Sequence, residues 1–361
     1  MSIYLKRLAI FFMLIFIIIM SISGCATTLD TAISSARQQG NLSTFDGESK
    51  LTVYFIDVGQ ADSALVLCDD KAMLIDGGNS ADSDLIYSFL KNHEVEYLDY
   101  IVATHAHEDH VGGLAGALNY AKVGIALCPV TEHESKAFNN FIKYLDKQNV
   151  SITVPNHGDT FLLGGADVKI VGPIKPSNET NNTSIVLKIT YGETSFLFTG
   201  DAERNEEQDI LEEGYDLSST VLKVGHHGSN TATSYPFLRE ILPKYSVISC
   251  GTGNSYGHPH ENTLSRLRDA DTIVYRTDIQ GTIICTSDGK TISFVTERNA
   301  NAQTNPTESY NDDSIFIGNI NSHKFHRPGC SGLPSEKNSI ILESWEIAIN
   351  EGYEPCGKCI Q

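Results

Sequence analysis

The stretch Tyr100-Ile-Val-Ala-Thr-His-Ala-His-Glu-Asp-His110 decides which fold and which chemistry this sequence predicts. Its first four residues form a short apolar run, which is typical of a buried strand. Alternate residues of an extended chain point the same way, so His105 and His107 can face one metal ion. Asp109 and His110 begin the turn into the next helix and can face a second ion. Because imidazole and carboxylate are ligands that zinc accepts, the stretch predicts a metal site.

Two later segments repeat the pattern of an apolar run followed by residues of ligand type. The first, Ser195-Phe-Leu-Phe-Thr-Gly-Asp201, ends in an aspartate that can place its carboxylate between two cations. The second ends in His226 and His227, which point to opposite sides of an extended chain, so at most one of them is predicted to bind metal. Asp76 ends another strand and can orient a ligand histidine from behind.

Short strand patterns alternate with helical patterns between residues 50 and 296, which predicts a layered α/β sandwich. Two polar stretches without periodicity, 26–49 and 297–313, predict a tether and a linker. We call residues 50–296 the body and residues 314–361 the tail. Four cysteines at or near strand ends in apolar company are predicted to be buried free thiols, with disulfides as the alternative: Cys68, Cys128, Cys250 and Cys285.

Residues 1–25 have the features of an export signal. Two basic residues precede the apolar run Leu8–Met20, which is too short to span a bilayer comfortably. The run is followed by Ile-Ser-Gly-Cys25, which resembles a bacterial lipobox. We therefore expect lipidation at Cys25 and a lipid-anchored protein on the outer face of the cell membrane. An uncleaved N-terminal anchor is the alternative.

The composition limits the classes of substrate. The sequence has 361 residues and a formal net charge of −19, from 26 Lys and Arg against 45 Asp and Glu. Its 41% of hydrophobic and 20% of charged residues are ordinary for a globular protein, which excludes a disordered or fibrous chain. Such an acidic protein attracts polyanions poorly. A nucleic-acid substrate would have to be held locally, by metal ions or a small basic patch.

Asp76, the run from His105 to His110, Asp201 and His227 together resemble the metallo-β-lactamase superfamily of binuclear hydrolases. The resemblance covers nearly all of the body, and it implies an αββα sandwich with two divalent ions, zinc or manganese, at the upper edge of the sheets. More narrowly, four motifs are similar to the hydrolase domain of ComEC-type competence proteins: Phe55-Ile-Asp-Val-Gly-Gln-Ala-Asp-Ser63, Asn181-Asn-Thr-Ser184, Leu222-Lys-Val-Gly-His-His-Gly-Ser229 and Tyr256-Gly-His-Pro259.

The resemblance also implies a role for individual residues. The extra histidine that the superfamily places on the first ion is absent, and the matching stretch, Asn181–Ser184, leaves that ion underligated. Which of the neighbours His226 and His227 binds metal stays open. The implied ligands are His105 and His107 on the first ion, Asp109, His110 and His227 on the second, and Asp201 as the bridge.

Further polar residues carry implied roles in catalysis. Asp109 is both a ligand and a catalytic residue, and His226 is placed in contact with the substrate. His258 and His260 fit a substrate-binding or acid role, with a loop histidine of no role as the alternative. Arg276 either touches an anionic substrate or forms a structural salt bridge.

The implied reaction is hydrolysis by a metal-bridged hydroxide, with phosphodiesters as substrates and extracellular nucleic acid as the leading class. The sequence therefore predicts an exported nuclease or phosphodiesterase. One alternative is a hydrolase of cell-envelope phosphodiesters, such as choline-phosphate decorations. The other is a non-catalytic lipoprotein that binds nucleic acid and whose metal centre is structural.

The tail predicts a second and different metal site. Cys356-Gly-Lys-Cys359 can place two thiolates on one tetrahedral ion, and His326 with Cys330 supplies the other pair. A structural zinc is a plausible source of stability for a unit with so little core of its own. A disulfide between Cys356 and Cys359 is the alternative.

The tail also resembles the zinc-binding module named after the Ada DNA-repair protein, with His326 in place of one cysteine. A closed four-ligand site argues for a structural rather than a catalytic ion. The histidine and the exported location argue against methyl transfer. Contact with DNA is a further expectation, since the tail contains several basic residues: Lys324, Arg327, Lys337 and Lys358.

Overall fold

A computed structural model describes residues 50–304, 316–327, 330–342 and 345–359. The predicted signal peptide with Cys25, the predicted tether and residues 305–313 of the predicted linker lie outside the described residues. Among the helices of the described ranges, none has the length and apolar character that a membrane span needs.

The body contains two sheets. The first is eight-stranded, in the spatial order β15-β14-β1-β2-β3-β4-β5-β6, and the second is seven-stranded, in the order β13-β12-β11-β10-β9-β8-β7. The strands are β1 (Leu51–Phe55), β2 (Ala64–Cys68), β3 (Lys71–Ile75), β4 (Tyr97–Val102), β5 (Lys122–Leu127), β6 (Ile152–Thr153), β7 (Thr160–Leu163), β8 (Ala166–Gly172), β9 (Val186–Tyr191), β10 (Thr194–Phe198), β11 (Val221–Lys223), β12 (Tyr245–Ile248), β13 (Ile273–Arg276), β14 (Ile283–Ser287) and β15 (Ile292–Thr296).

Helices cover the outer face of each sheet. α1, α3 and α4 pack on the first sheet through residues such as Ile86, Leu114 and Phe141. α5, α6 and α7 pack on the second sheet through residues such as Ile210 and Phe237. The helices are α1 (Ser83–Asn92), α2 (Glu108–Val111), α3 (Leu114–Tyr120), α4 (Lys136–Asp146), α5 (Arg204–Glu213), α6 (Tyr235–Ile241), α7 (Glu261–Asp269), α8 (Thr277–Gln280) and, in the tail, α9 (Trp345–Asn350).

The two sheets enclose one central core. Alternate residues of β1, Leu51, Val53 and Phe55, are fully buried in it, as expected for a strand with one face on the core. Phe55 stacks on Phe198 of the opposite sheet, with ring centroids 5.9 Å apart. The body is therefore an αββα sandwich, as the sequence predicts. The four body cysteines named above are buried free thiols, again as predicted.

Parallel strands bring the polar strand ends together. In the first sheet β3, β4, β5 and β6 run parallel, and in the second β10, β11, β12 and β13 do. The carboxyl ends of parallel strands lie at one edge of a sheet, where ligands bind in open α/β sheets. The segments after β3, β4, β10 and β11, which carry the predicted metal ligands, therefore meet at one edge of the sandwich.

The tail forms a small sheet of its own, in the order β18-β16-β17-β19. Phe316, Phe325 and Leu342 form a minimal core with Ala348 and Tyr353. Because so few side chains are buried, this core provides little stability. The fold of the tail therefore depends on a further cross-link, such as a bound metal ion. Its strands are β16 (Phe316–Asn319), β17 (Lys324–His326), β18 (Ser339–Leu342) and β19 (Glu354–Pro355).

A buried acid in α5 makes the stability of the body depend on pH. Burial raises the pKa of Glu206 from an ordinary 4.5 to about 7. The folded protein thus holds this proton more tightly than the unfolded chain, so stability is lost as the pH rises through 7. Glu206→Gln keeps the acceptor for the Ile174 amide and removes the buried charge. We expect it to raise the free energy of unfolding at pH 8 by up to about 3 kcal/mol, and by much less at pH 5.

Urea unfolding at both pH values measures this difference. The exposed Glu240 provides the matched control, since Glu240→Gln is expected to change stability little at either pH. An equal effect of Glu206→Gln at pH 5 and pH 8 contradicts the prediction.

Candidate metal-dependent active site

Four residues of the predicted ligand set converge at the edge of the sandwich. Asp109, His110, Asp201 and His227 offer ligand atoms that all lie within 4.8 Å of one another. Nε2 of His110 is 3.3 Å from Oδ2 of Asp201, and Nε2 of His227 is 3.2 Å from Oδ2 of Asp109. These are the ligands that the resemblance assigns to the second ion and the bridge.

The chemistry of this group fits a cation. Nε2 of His110 and Oδ1 of Asp201 are buried and have no hydrogen-bond partner within the described ranges. Leaving such atoms unsatisfied costs about 1–3 kcal/mol each, so a ligand that pairs with both is favoured. Burial by itself lowers the pKa of His110, but nearby carboxylates, led by Asp201 and Asp76, raise that pKa well above its usual value. The site thus stabilises positive charge, which a divalent cation also supplies.

His105 and His107 lie beside this group. Nε2 of His105 is 3.0 Å from Nδ1 of His107 and 4.0 Å from Oδ2 of Asp201. Burial and the positive charge near His110 lower the pKa of His105 well below its usual value, which favours the neutral imidazole that binds metal. The two histidines thus contact each other beside Asp201, at the position that the resemblance gives to a first ion.

The segment that lacks the extra histidine supports the site in other ways. Oγ of Ser184 accepts a hydrogen bond from the Asp201 amide and lies 3.4 Å from Nδ1 of His105. The buried Asn182 accepts a hydrogen bond from the Glu203 amide through its side chain. Asn181 reaches the cavity above the metal ligands. Among the described residues of this segment, Asn181 is thus the one that faces the site with a free carbonyl oxygen.

The two neighbouring histidines do not lie on opposite sides of the chain. His226 and His227 both adopt left-handed backbone, with φ of 50° and 54°, in a tight turn after β11. Nε2 of each lies 3.6 Å from Oδ2 of Asp201. The prediction that the two side chains point to opposite sides assumed an extended chain, and it is wrong. His227 is buried, whereas the side chain of His226 is 21% exposed and lines the cavity.

Asp76 holds the ring of His110, a predicted metal ligand, as the sequence predicts. Its Oδ2 is 2.8 Å from Nδ1 of His110, and its two carboxylate oxygens accept hydrogen bonds from the amide and hydroxyl of Thr104. The hydrogen bond between Asp76 and His110 depends on close packing of the backbones at Gly77 and Gly113. A Cβ on Gly113 would lie 1.9 Å from the carbonyl oxygen of Gly77, so a side chain is excluded there.

A buried ion pair supports His227 from the other side. Nζ of Lys223 donates to Oδ2 of Asp62 at 2.7 Å, and Oδ1 of Asp62 is 3.1 Å from Nδ1 of His227. Burial raises the pKa of Asp62, but Lys223 and then His227 outweigh that effect and lower it to about 2. Sequence reasoning assigned no role to either partner. The sequence did contain a signal for this ion pair, because Asp62 and Lys223 both lie inside the motifs quoted above. Both charged side chains occupy buried positions.

A cavity of about 350 Å³ lies over the metal ligands. Its walls include His107, His226 and His258. Nδ1 of His258 is 3.2 Å from Nε2 of Gln60. Burial and the neighbouring histidines lower the pKa of His258 to about 4, so its imidazole is neutral at pH 7. His258 is therefore suited to hydrogen bonding with a substrate.

Two other predicted residues lie elsewhere. Arg276 forms a two-point salt bridge with Asp278, with N–O distances of 3.0 and 2.7 Å, which favours the structural alternative over contact with a substrate. Nδ1 of His260 accepts a hydrogen bond from the Asn230 amide at 3.0 Å. His260 is thus held at the start of α7, where its ring packs against that of His258, with ring centroids 4.8 Å apart.

The predicted ligands of the tail form one cluster. His326, Cys330, Cys356 and Cys359 offer ligand atoms within 4.8 Å of one another. The sulfurs of Cys330 and Cys356 are 4.0 Å apart, close to the spacing of about 3.8 Å that two sulfurs take on tetrahedral zinc. Cys356 and Cys359 are free thiols and are not joined by a disulfide. The cluster fits a structural zinc module.

Loss of the Asp62 carboxylate is expected to destabilise the body. Asp62→Asn leaves the Lys223 ammonium buried without a negative partner, which costs about 3–5 kcal/mol. Urea unfolding of the single variant and of Asp62→Asn with Lys223→Met tests this, since removal of both charges should recover most of the loss. The matched control is Asp216→Asn, at an ion pair where the aspartate side chain is 76% exposed and the cost is under about 1 kcal/mol. Equal losses at the two ion pairs contradict the prediction.

Removal of zinc is expected to unfold the tail alone. Cys356→Ser should lower the zinc content by one ion per chain, measured by atomic emission, and should make the tail sensitive to limited proteolysis. The body should keep its unfolding midpoint because its core is separate. Retention of the zinc and of protease resistance in Cys356→Ser would contradict the assignment.

Comparison with known proteins agrees with this geometry. The sequence profile of the metallo-beta-lactamase superfamily matches residues 56–252. ComE operon protein 3 of Bacillus subtilis (strain 168) is 30% identical over 250 residues, which cover 64% of this chain and 32% of that protein. Competence protein ComA of Neisseria gonorrhoeae is 30% identical over 241 residues, covering 66% and 32%.

The chain spans about a third of the length of these curated relatives. Among solved structures, the metallo-beta-lactamase fold protein YhfI from Bacillus subtilis superposes with a TM-score of 0.41 at 14% identity, covering 62% of this chain and 95% of that chain. The profile match covers more than half of the sequence and includes the residues from Asp76 to His227 that form the site. This chain belongs to the metallo-β-lactamase superfamily.

Proposed function

We propose that this chain is a metal-dependent phosphodiesterase that cleaves nucleic acid outside the cell membrane. The observation that carries the proposal is the convergence of Asp109, His110, Asp201 and His227 beneath a cavity, with two of their ligand atoms buried and unpaired. These residues would hold divalent cations, which would supply an activated water and positive charge against the phosphoryl oxygens. That positive charge matters in a protein whose own net charge is −19.

The residues around the cavity suit the handling of a diester. His226 lies at the wall with Nδ1 3.2 Å from Oε1 of Glu203, which holds the ring with Nε2 directed toward Asp201. In that position Nε2 can contact a phosphoryl or leaving-group oxygen. The neutral His258, whose Nδ1 accepts from Nε2 of Gln60, can donate one hydrogen bond through its own Nε2. Asp201 and Asp109 remain ionised, since their pKa values are held well below the usual range by His110 and its neighbours despite burial.

The names of the relatives favour nucleic acid among the diesters. ComA of Neisseria gonorrhoeae is named a competence protein, and a relative from Haemophilus influenzae is named recombination protein 2, at 27% identity over 236 residues. Recombination is a process of nucleic acids. Because this chain spans about a third of those proteins, the transfer of a substrate from them to this chain is part of the proposal.

The proposal also includes the location. The basic start, the apolar run Leu8–Met20 and the lipobox-like Ile-Ser-Gly-Cys25 support export and lipidation at Cys25. A lipid on this residue would hold the body on the outer face of the membrane, where extracellular nucleic acid is the accessible diester.

Loss of one metal ligand is expected to abolish cleavage. In the full chain loaded with zinc or manganese, Asp201→Ala and His107→Ala should lower the cleavage of DNA and of bis(4-nitrophenyl) phosphate by at least about 100-fold. His157→Ala, at a histidine that pairs with Tyr215 away from the cavity, is the matched control and should retain activity. Full activity of both ligand variants would refute the proposal.

The same assay separates the other two functions. A wild-type chain that leaves DNA intact and releases phosphorylcholine from wall polymers is a cell-envelope hydrolase. A chain that retains DNA in a binding assay and turns over neither substrate is a binding protein. Both outcomes overturn the nuclease proposal.

A further inference from the structure

A second cavity, of about 380 Å³, lies between the body and the tail. We call it the cleft. The body contributes the start of α5, the loop after His227 and the start of α7, and the tail contributes Lys324 and residues 354–357. Direct contacts hold the two parts together, since Nη1 of Arg204 is 3.2 Å from Oε2 of Glu354, and the Arg239 guanidinium donates to the carbonyl of Ile349.

The cleft adjoins the metal site. Glu203 and Thr231 line the cleft, and both contact Nδ1 of His226, each at 3.2 Å. His226 in turn lines the cavity over the metal ligands. Asn181, in the same cavity, donates to Oε1 of Glu203. One layer of side chains therefore separates the cleft from the candidate metal site, so an extended ligand can reach both.

The charge of the cleft is opposite to that of the protein. Across the chain acidic residues outnumber Lys and Arg by 45 to 26, whereas the cleft is lined by three cations and two carboxylates. Both carboxylates already have partners: Glu203 accepts hydrogen bonds from Asn181 and Thr231, and Glu354 pairs with Arg204. The cleft thus suits an anion better than a cation.

One of its cations has no carboxylate partner. Arg266 is 4% exposed and donates to the backbone carbonyls of Thr233 and Ala232 and to the Thr263 hydroxyl. In the part of the chain that the structure describes, this guanidinium makes no salt bridge. Burial and then the nearby Arg204 lower its pKa, while Tyr235 and the carboxylates of Glu207 and Glu354 raise it. A bound anion would add to the compensation of this buried charge.

The cleft also presents neutral hydrogen-bonding groups. Asn205, Asn230 and Asn262 line it, and their side-chain amides make no hydrogen bond to any residue within the described ranges. Each amide offers donors and an acceptor, the combination that contacts phosphate, sugar and base edges in nucleic-acid complexes. Uncommitted amides beside two arginines are therefore suited to a nucleotide rather than to a bare inorganic ion.

We propose that the cleft binds the nucleotide next to the scissile phosphate, so that body and tail together form the binding site for the polynucleotide. The inference rests on the proposed phosphodiesterase function and names the part of the site that selects polymers. It also gives the tail a role beyond its own fold, since its 354–357 segment forms one wall of the cleft.

Removal of two amides tests the inference with a pair of substrates. In the full metal-loaded chain, Asn205→Ala with Asn262→Ala should raise KM for a single-stranded oligonucleotide by roughly tenfold or more, because about two hydrogen bonds are lost. Cleavage of bis(4-nitrophenyl) phosphate should be unchanged, since that diester is too small to reach the cleft. Asn139→Ala, at an exposed asparagine of α4, is the matched control for both substrates.

A second variant closes the cleft from the side of the tail. A Cβ on Gly357 meets no atom within 4 Å, so Gly357→Trp can place its ring in open space without displacing the fold. Zinc content should stay at the wild-type value. Cleavage of the oligonucleotide should fall at least tenfold, again with unchanged cleavage of the small diester.

A binding assay distinguishes failure of the inference from failure of the function. With Asp201→Ala as the inactive background, anisotropy of a fluorescein-labelled single strand should show weaker binding when either cleft variant is added. Unchanged binding and unchanged oligonucleotide KM in both cleft variants overturn the inference, whatever the activity. A wild-type chain that cleaves neither substrate but loses binding in the cleft variants overturns the phosphodiesterase function and leaves the cleft as a nucleotide site.

Discussion

The buried carboxylate of Asp201 is the interaction on which the site depends. Its Oδ2 lies within 4.0 Å of ring nitrogens of His105, His110, His226 and His227, which come from two separate segments. A buried carboxylate is costly unless positive charge compensates it. The strands of both sheets bring these segments to one edge of the sandwich. Metal ions that fit the site would supply the remaining positive charge against the carboxylate.

The surrounding structure fixes these side chains through a second layer of buried charge. Asp76 holds His110, and the pair of Asp62 with Lys223 holds His227. Such pairs contribute little net stability, since desolvation offsets much of their attraction. Their value lies in orientation, because each fixes the ring nitrogen that faces the ions. In the proposed cleft, side chains would orient a polynucleotide, just as the buried pairs orient the predicted metal ligands.

Much of the fold and of the ligand set could be predicted from the sequence. Ligand-type residues directly after apolar strands, as at His105 and Asp201, indicate a shared sheet edge because parallel strands end together. The prediction failed for His226 and His227, since local alternation gives no information about a turn with left-handed residues. The pairing of Asp62 with Lys223 spans 161 positions, and no local pattern specifies such a partner. The cleft depends on how the tail docks, which motifs do not encode.

The long sequence separation within the metal site has a consequence for the nascent chain. Contacts between distant residues form late in folding, because the entropy of closing a long loop must first be overcome. A ribosome-bound chain that ends before β11 contains His105 and His107 but has neither His227 nor Lys223. Such a chain cannot assemble the predicted ligands of the second ion. The candidate site therefore stays incomplete during synthesis until the second sheet has closed.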